Sequence, residues 1–171
     1  MRVYIGRIPT MAKEIVELIT AEGDVEVEGE MLEEVELDIS SVLREYTRVD
    51  RQITDRARDQ IAERQLPYNH LYKVKHQIAK ERGVGIGDES VDYLCNQITE
   101  MLLHSKHVEE VYAEDHQLCR IMRPSLRRHM ALDSELDQEV RNRIKNLQEG
   151  TSDWEIEYKR VMEDVKNRRN L

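Results

Sequence analysis

Leu32-Glu-Glu-Val35-Glu-Leu-Asp-Ile39-Ser-Ser-Val42-Leu-Arg-Glu-Tyr46-Thr-Arg-Val49-Asp-Arg-Gln-Ile53 is the most regular stretch of the chain. Its apolar positions recur at alternating spacings of three and four, which is the seam of a helix that meets another helix. The stripe continues through Ala57 and Ile61. One helix from about residue 30 to about residue 65 would be roughly 50 Å long at 1.5 Å per residue. Ser40 and Ser41 offer a competing reading, a fresh helix start with Val35, Leu37 and Ile39 as a strand. The unbroken heptad spacing favours the single helix.

Upstream of it, Thr10 can cap a helix that follows Pro9, with Met11, Ile15, Leu18 and Ile19 on one face. Gly23 stops it, and Asp24-Val-Glu-Val-Glu28 alternates as a short strand does. Downstream, Pro67 ends the long helix. Asn69 can start another, with Leu71, Val74 and Ile78 on its face, and Gly83-Val-Gly-Ile-Gly87 reads as a linker.

The pattern then returns at an offset of 83 residues. Leu94, Ile98, Met101 and Leu102 repeat the spacing of Met11, Ile15, Leu18 and Ile19. Val108-Glu109 matches Val25-Glu26, Leu126-Arg127 matches Leu43-Arg44, and Ile144 matches Ile61. Trp154 falls opposite Leu71, and Val161 opposite Ile78. Identity is low, so the apolar pattern carries the duplication: residues 1–87 form a first repeat with its linker, residues 88–171 a second. The halves also differ. Pro124 should kink or restart the second long helix. Ser152-Asp-Trp-Glu155 reads as a capping box for the last helix, Trp154 as its core anchor, and Lys166–Leu171 as a frayed tail. The fold expected is all-α, with two short strands at most: tandem helical repeats packed through their long heptad-patterned helices. The extended segments near Val25–Val27 and Val108–Val111 are expected to pair and relate the halves by a pseudo-twofold.

Composition narrows the function. Of 171 residues, 39% are apolar and 36% charged, with no Phe and one Trp. This balance suits helices with one buried and one solvated face. A net charge of −9 disfavours generic binding to duplex nucleic acid, which needs a basic surface. No apolar run is long enough for a membrane span. The start, Met1 to Pro9, lacks the apolar core of a signal peptide. Two cysteines, Cys95 and Cys119, make no disulfide framework, so a reducing cytoplasm is the expected location.

Four constellations have chemical potential. His104-x2-His107-x8-His116-x2-Cys119 offers imidazole and thiolate ligands for zinc. The competing reading is a polar connector with incidental histidines. The corresponding residues of the first half, Ala21, Asp24, Glu33 and Glu36, cannot form such a site. Gly83-x-Gly-x-Gly87 follows a helix rather than a strand, which favours a hinge over a phosphate cradle. Charge is segregated: residues 22–38 hold nine acids and no base, whereas Arg120, Arg123, Arg127 and Arg128 form a basic cluster. Lys73, Lys75, Lys80 and Arg82, with His76 and Tyr72 among them, form a second basic stretch. These blocks read as solvated faces, as complementary surfaces, or as a steering field. Asp50 and Asp133 each follow an arginine by six residues, which suggests a polar contact beside the seam rather than acid–base catalysis.

Tyr4-Ile-Gly-Arg-Ile-Pro9 followed by Ala12-Lys-Glu-Ile-Val16, together with Leu71-Tyr-Lys-Val-Lys75 through Ile78-Ala-Lys-Glu-Arg-Gly83, resembles a bacterial family, the domain of unknown function numbered 507. The resemblance spans nearly the whole chain and implies a helical bacterial protein. It brings no catalytic or binding residue with it. The second half departs from the pattern, ending without the Ala-Lys-Glu-Arg-Gly stretch. The residues therefore lead to a non-enzymatic protein-interaction or assembly module, without cofactor, that binds a protein partner or itself. A regulatory nucleic-acid-associated protein using the basic helices, or a zinc-stabilised module, is the alternative.

Overall fold

The computed structural model describes residues 1–148 and 151–169, less the side chains of residues 132–134, 152, 155 and 159. Helices dominate. In chain order they are α1 (Ile8–Thr20), α2 (Leu32–Glu63), α3 (Leu71–Glu81), α4 (Ser90–His104), α5 (Asp115–Met130), α6 (Leu132–Arg143) and α7 (Ser152–Arg168). Two short strands, β1 (Val25–Glu26) and β2 (Glu110–Val111), pair antiparallel with Val25 opposite Val111 and Glu26 opposite Glu110. The extended segments thus meet, as their alternation led one to expect. No helix of the described residues is long and apolar enough to cross a membrane.

α2 is continuous through Ser40 and Ser41, as the spacing predicts. Its 32 residues extend about 48 Å. Its buried face differs from a strict seam. Leu43 is fully buried, while Leu32, Val42 and Val49 are only partly so. The cause is packing on more than one side: α2 lies against α1, α4 and α3. The long helices do not meet seam to seam. α1 and α4 stand between α2 and α5, and the principal contacts close a ring, α1–α2–α4–α5–α1. Ile15, Ile39, Ile98 and Leu126 are among the fully buried side chains of this shared core. Each half thus covers the other's apolar surface.

Two smaller cores extend from it. Ile53, Ala57 and Ile61 of α2 close on Val74 and Ile78 of α3. Leu136 and Val140 of α6, with Ile144 just after it, close on Val161 and Val165 of α7, and Tyr4 from the N-terminal strap (residues 1–7) inserts there. Burial recurs at the 83-residue offset. The buried positions of α1, Ile8, Met11, Ala12, Ile15, Val16 and Ile19, fall opposite Val91, Leu94, Cys95, Ile98, Thr99 and Leu102, all buried.

Several local expectations need correction. Pro124 lies inside α5 without ending it; the interruption comes at Ala131. There the strap crosses, and the Arg2 amide donates to the Met130 carbonyl at 3.4 Å. That carbonyl is one a continuing helix would use. The turn at residues 83–87 is packed rather than hinge-like. Gly83 (φ +66°) reverses the chain after α3, and a Cβ on Gly85 would lie 2.6 Å from Tyr93 Cβ. The Tyr46 hydroxyl donates to the Gly85 carbonyl at 3.2 Å. The cap of α7 is Thr151, whose Oγ1 accepts from the Trp154 amide at 3.3 Å; the side chains of Ser152 and Glu155 lie outside the described residues. The tail is helical through Arg168, and Arg169 pairs with Glu139 at 2.6 Å. Residues 170 and 171 lie outside the described residues. Trp154 is part-buried at the edge of its core, stacked on Tyr158 with centroids 4.8 Å apart.

Candidate functional site

The His/Cys set is not gathered. His104 ends α4 exposed, its Nδ1 2.8 Å from the Glu100 carbonyl. His107 turns toward α2, with Nδ1 2.9 Å from Asp38 Oδ2, and the Ser105 hydroxyl donates to the same oxygen at 2.7 Å. His116 is exposed beside Glu114. Cys119 is buried, its Sγ 3.6 Å from Asn96 Oδ1. Among the described residues no group of three or more His, Cys, Asp or Glu side chains is placed to hold a metal ion. The contacts of His107 and Ser105 instead tie the α4–β2 connection to α2.

The arginine cluster is divided by the helix that carries it. Arg123 pairs with Asp92 of α4 at 2.8 Å, and Arg128 pairs with Glu14 of α1. Arg120 and Arg127 are exposed. Glu14 also holds His129, whose Nε2 lies 2.8 Å from Oε2 and which is 5% exposed. Burial alone would raise the Glu14 pKa. The neighbouring His129, Ser125 and Arg128 outweigh it and hold the carboxyl down at about 2. No sequence motif announced the cluster, because α1 and α5 meet only in the fold.

Along α3, Lys73 and Lys80 are exposed, and Lys75 is half-buried against Asp50 at 2.8 Å. Asp50 therefore has the polar contact that its position suggested; the Asp133 side chain lies outside the described residues. Arg82 caps α3. Tyr72 is exposed and rests against His76, ring centroids 4.2 Å apart. Charge is strongly polar along α2. Residues 51–86 carry eight Lys and Arg against four Asp and Glu, while the rest of the chain carries 18 against 31. At the opposite end stands the acid-only stretch 22–38, with no Lys or Arg ion pair among the described residues.

A family described as a protein of unknown function, DUF507, matches residues 1–171. The chain belongs to DUF507. No curated protein matches it. Membership in DUF507 assigns no chemistry to any residue, so a site must be read from geometry.

Two grooves stand out in this DUF507 chain. The first, of about 540 Å³, runs between α2 and α4 beside the turn after α3. Val42, Val49, Val84 and Met101 supply apolar lining, Tyr46 and Tyr93 stand 5.9 Å apart in it, and Asp38 and Glu45 belong to its α2 side. Burial, with the Asp50 charge nearby, pushes the Tyr46 hydroxyl pKa well above its usual value, so it stays neutral. Leu37, 56% exposed, lies one turn before Ser41 on α2. The second groove, of about 470 Å³, lies where the N-terminal strap, α2, α3 and α7 converge. Of its cations, Arg51 and Arg58 were legible in the sequence as two residues seven apart on one helix. Arg2 and Lys166 lie at opposite ends of the chain and carry no shared signal.

Proposed function

We propose that this protein is a non-enzymatic binding module that docks a basic amphipathic helix of a partner protein in the groove between α2 and α4. The carrying observation is the pairing of a partly apolar groove with the acid-only stretch that enters it at Asp38. An amphipathic helix can lay apolar residues at spacings of three and four into such a groove. Its Lys and Arg residues would answer the acids of residues 22–38, which have no Lys or Arg partner among the described residues and which speed encounter and select the partner's charge.

Supporting the non-enzymatic reading, one strongly perturbed nucleophile is locked in the core. Cys95 is buried, and burial together with the neighbouring Cys119 raises its thiol to about 12, which leaves little thiolate to react. We read the protein as bacterial and cytoplasmic, with reduced thiols, and its halves 1–87 and 88–171 as tandem repeats. The recurrence of buried positions at the 83-residue offset supports that duplication.

A photo-crosslinking residue placed at Leu37 or Ser41 tests the docking reading in the native cytoplasm. The expected result is a reproducible adduct with one protein, mapped to a basic helical segment. A Glu34→Lys, Glu45→Lys variant should lose that adduct. A self-adduct would replace the partner protein with a second copy of this chain. An adduct indifferent to the charge reversal would overturn the proposal.

A further inference from the structure

The second groove has a lining at odds with the chain that forms it. In a protein of net charge −9, it gathers Arg51 and Arg58 from α2, Lys75 from α3, Arg2 from the strap and Lys166 from α7. Among the described residues, Asp50 and Asp55 oppose them there. Both acids are engaged: Asp50 with Lys75 at 2.8 Å, and Asp55 with Arg58 at 3.6 Å. Arg2 and Arg51 stand outside these two pairs, so the described lining keeps an excess of positive charge.

The arrangement is held by packing. Tyr4 is 4% exposed and anchored in the α6–α7 core. The Arg2 guanidinium lies 5.4 Å from its ring centroid and the Lys166 ammonium 5.7 Å from the same ring. One buried ring thus positions two cations from opposite ends of the chain. On α2, Arg51 and Arg58 lie two turns apart on one face, about 10 Å along the helix axis. Cations drawn together repel one another, and an anion between them relieves that repulsion. Guanidinium groups bind phosphate oxygens in a paired, planar geometry. Two such groups spaced along one face suit a ligand with several phosphates better than a single carboxylate. The volume lies in the range of small-ligand sites, about 300–1,000 Å³.

We propose that this groove binds a phosphate-bearing polyanion through Arg51 and Arg58, with Arg2 adding to the charge. The shared chemistry is that of a free polyphosphate or nucleotide and of a stretch of nucleic-acid backbone. The site shares Tyr46 with the helix-docking groove but is otherwise built from different residues, including the strap and α7.

Isothermal titration of the full chain at low salt with sodium tripolyphosphate, with ATP and with a short oligouridylate tests it. At least one probe should bind, and Arg51→Ala should weaken that binding about tenfold, the loss of one charge-assisted contact. Arg58→Ala should weaken it as well, while Arg160→Ala, on an exposed part of α7, should leave it unchanged. Binding of tripolyphosphate or ATP would place a small polyphosphate in the groove. Binding of oligouridylate alone would place a nucleic-acid backbone there. No binding by any probe, or binding that Arg51→Ala and Arg58→Ala leave unaltered, overturns the proposal.

Discussion

Glu14 illustrates how one carboxylate can join two halves of a chain. It sits on α1 and receives His129 and Arg128 from α5. Its pKa falls from 4.5 to about 2 on folding. A group whose folded pKa is depressed contributes its stability above the unfolded value and loses it as pH falls toward the folded one. The contribution is therefore complete above about pH 4.5 and gone near about pH 2. The full shift corresponds to about 3 kcal/mol; with the side chain 26% exposed, solvent screening reduces this to on the order of 2 kcal/mol. Urea unfolding should show the wild type losing stability between about pH 4.5 and about pH 2. Glu14→Gln should be less stable at the higher pH and lose less on acidification. An equal acid loss in both proteins would place the acid sensitivity elsewhere.

α5 shows which element-level signals hold and which yield to their surroundings. Pro124 removes an amide donor from the helix interior, leaving the Arg120 carbonyl without its usual partner. The helix tolerates it because position 124 is solvent-exposed, where water can satisfy that carbonyl. Pro124→Ala is expected to raise stability by about 1 kcal/mol, the restored helical bond outweighing the freer unfolded chain. Thermal unfolding by circular dichroism reads this directly; a lower melting temperature would mean that the ring contributes contacts the helix needs. The actual break at Ala131 has no breaker residue, because it coincides with the crossing of the strap at Met130. α2 teaches a similar lesson. Its continuity was legible from spacing alone, but the spacing implied one partner where the fold supplies three. Leu43 falls off the heptad seam and is nevertheless fully buried, because helices cover α2 over a wider arc than a two-helix seam would.

The four-helix core is mutual: α1 needs α5, and α2 needs α4. Residues 1–87 alone would leave apolar faces of α1 and α2 uncovered. Such a fragment is expected to fold only as a dimer, with a second copy standing in for α4, α5 and β2. Circular dichroism with sedimentation analysis distinguishes the outcomes. A well-folded monomer would show that the first half has a self-sufficient core and would undo the account of a shared one.

The helices, the glycine at the end of α3, the two pairing segments and the recurrence at 83 residues could all be read from the chain. These signals are short in range or depend on comparing the chain with itself: side chains three and four apart share a helix face, and a left-handed turn favours glycine. Only the tertiary structure decided that α1 and α4 stand between α2 and α5, that His104, His107, His116 and Cys119 go to separate partners, and that Glu14 meets His129. It also brought Arg2 beside Lys166. Residues so far apart in sequence have no spacing to betray them, and their meeting depends on how apolar faces find mutual cover, a global outcome that no local pattern encodes.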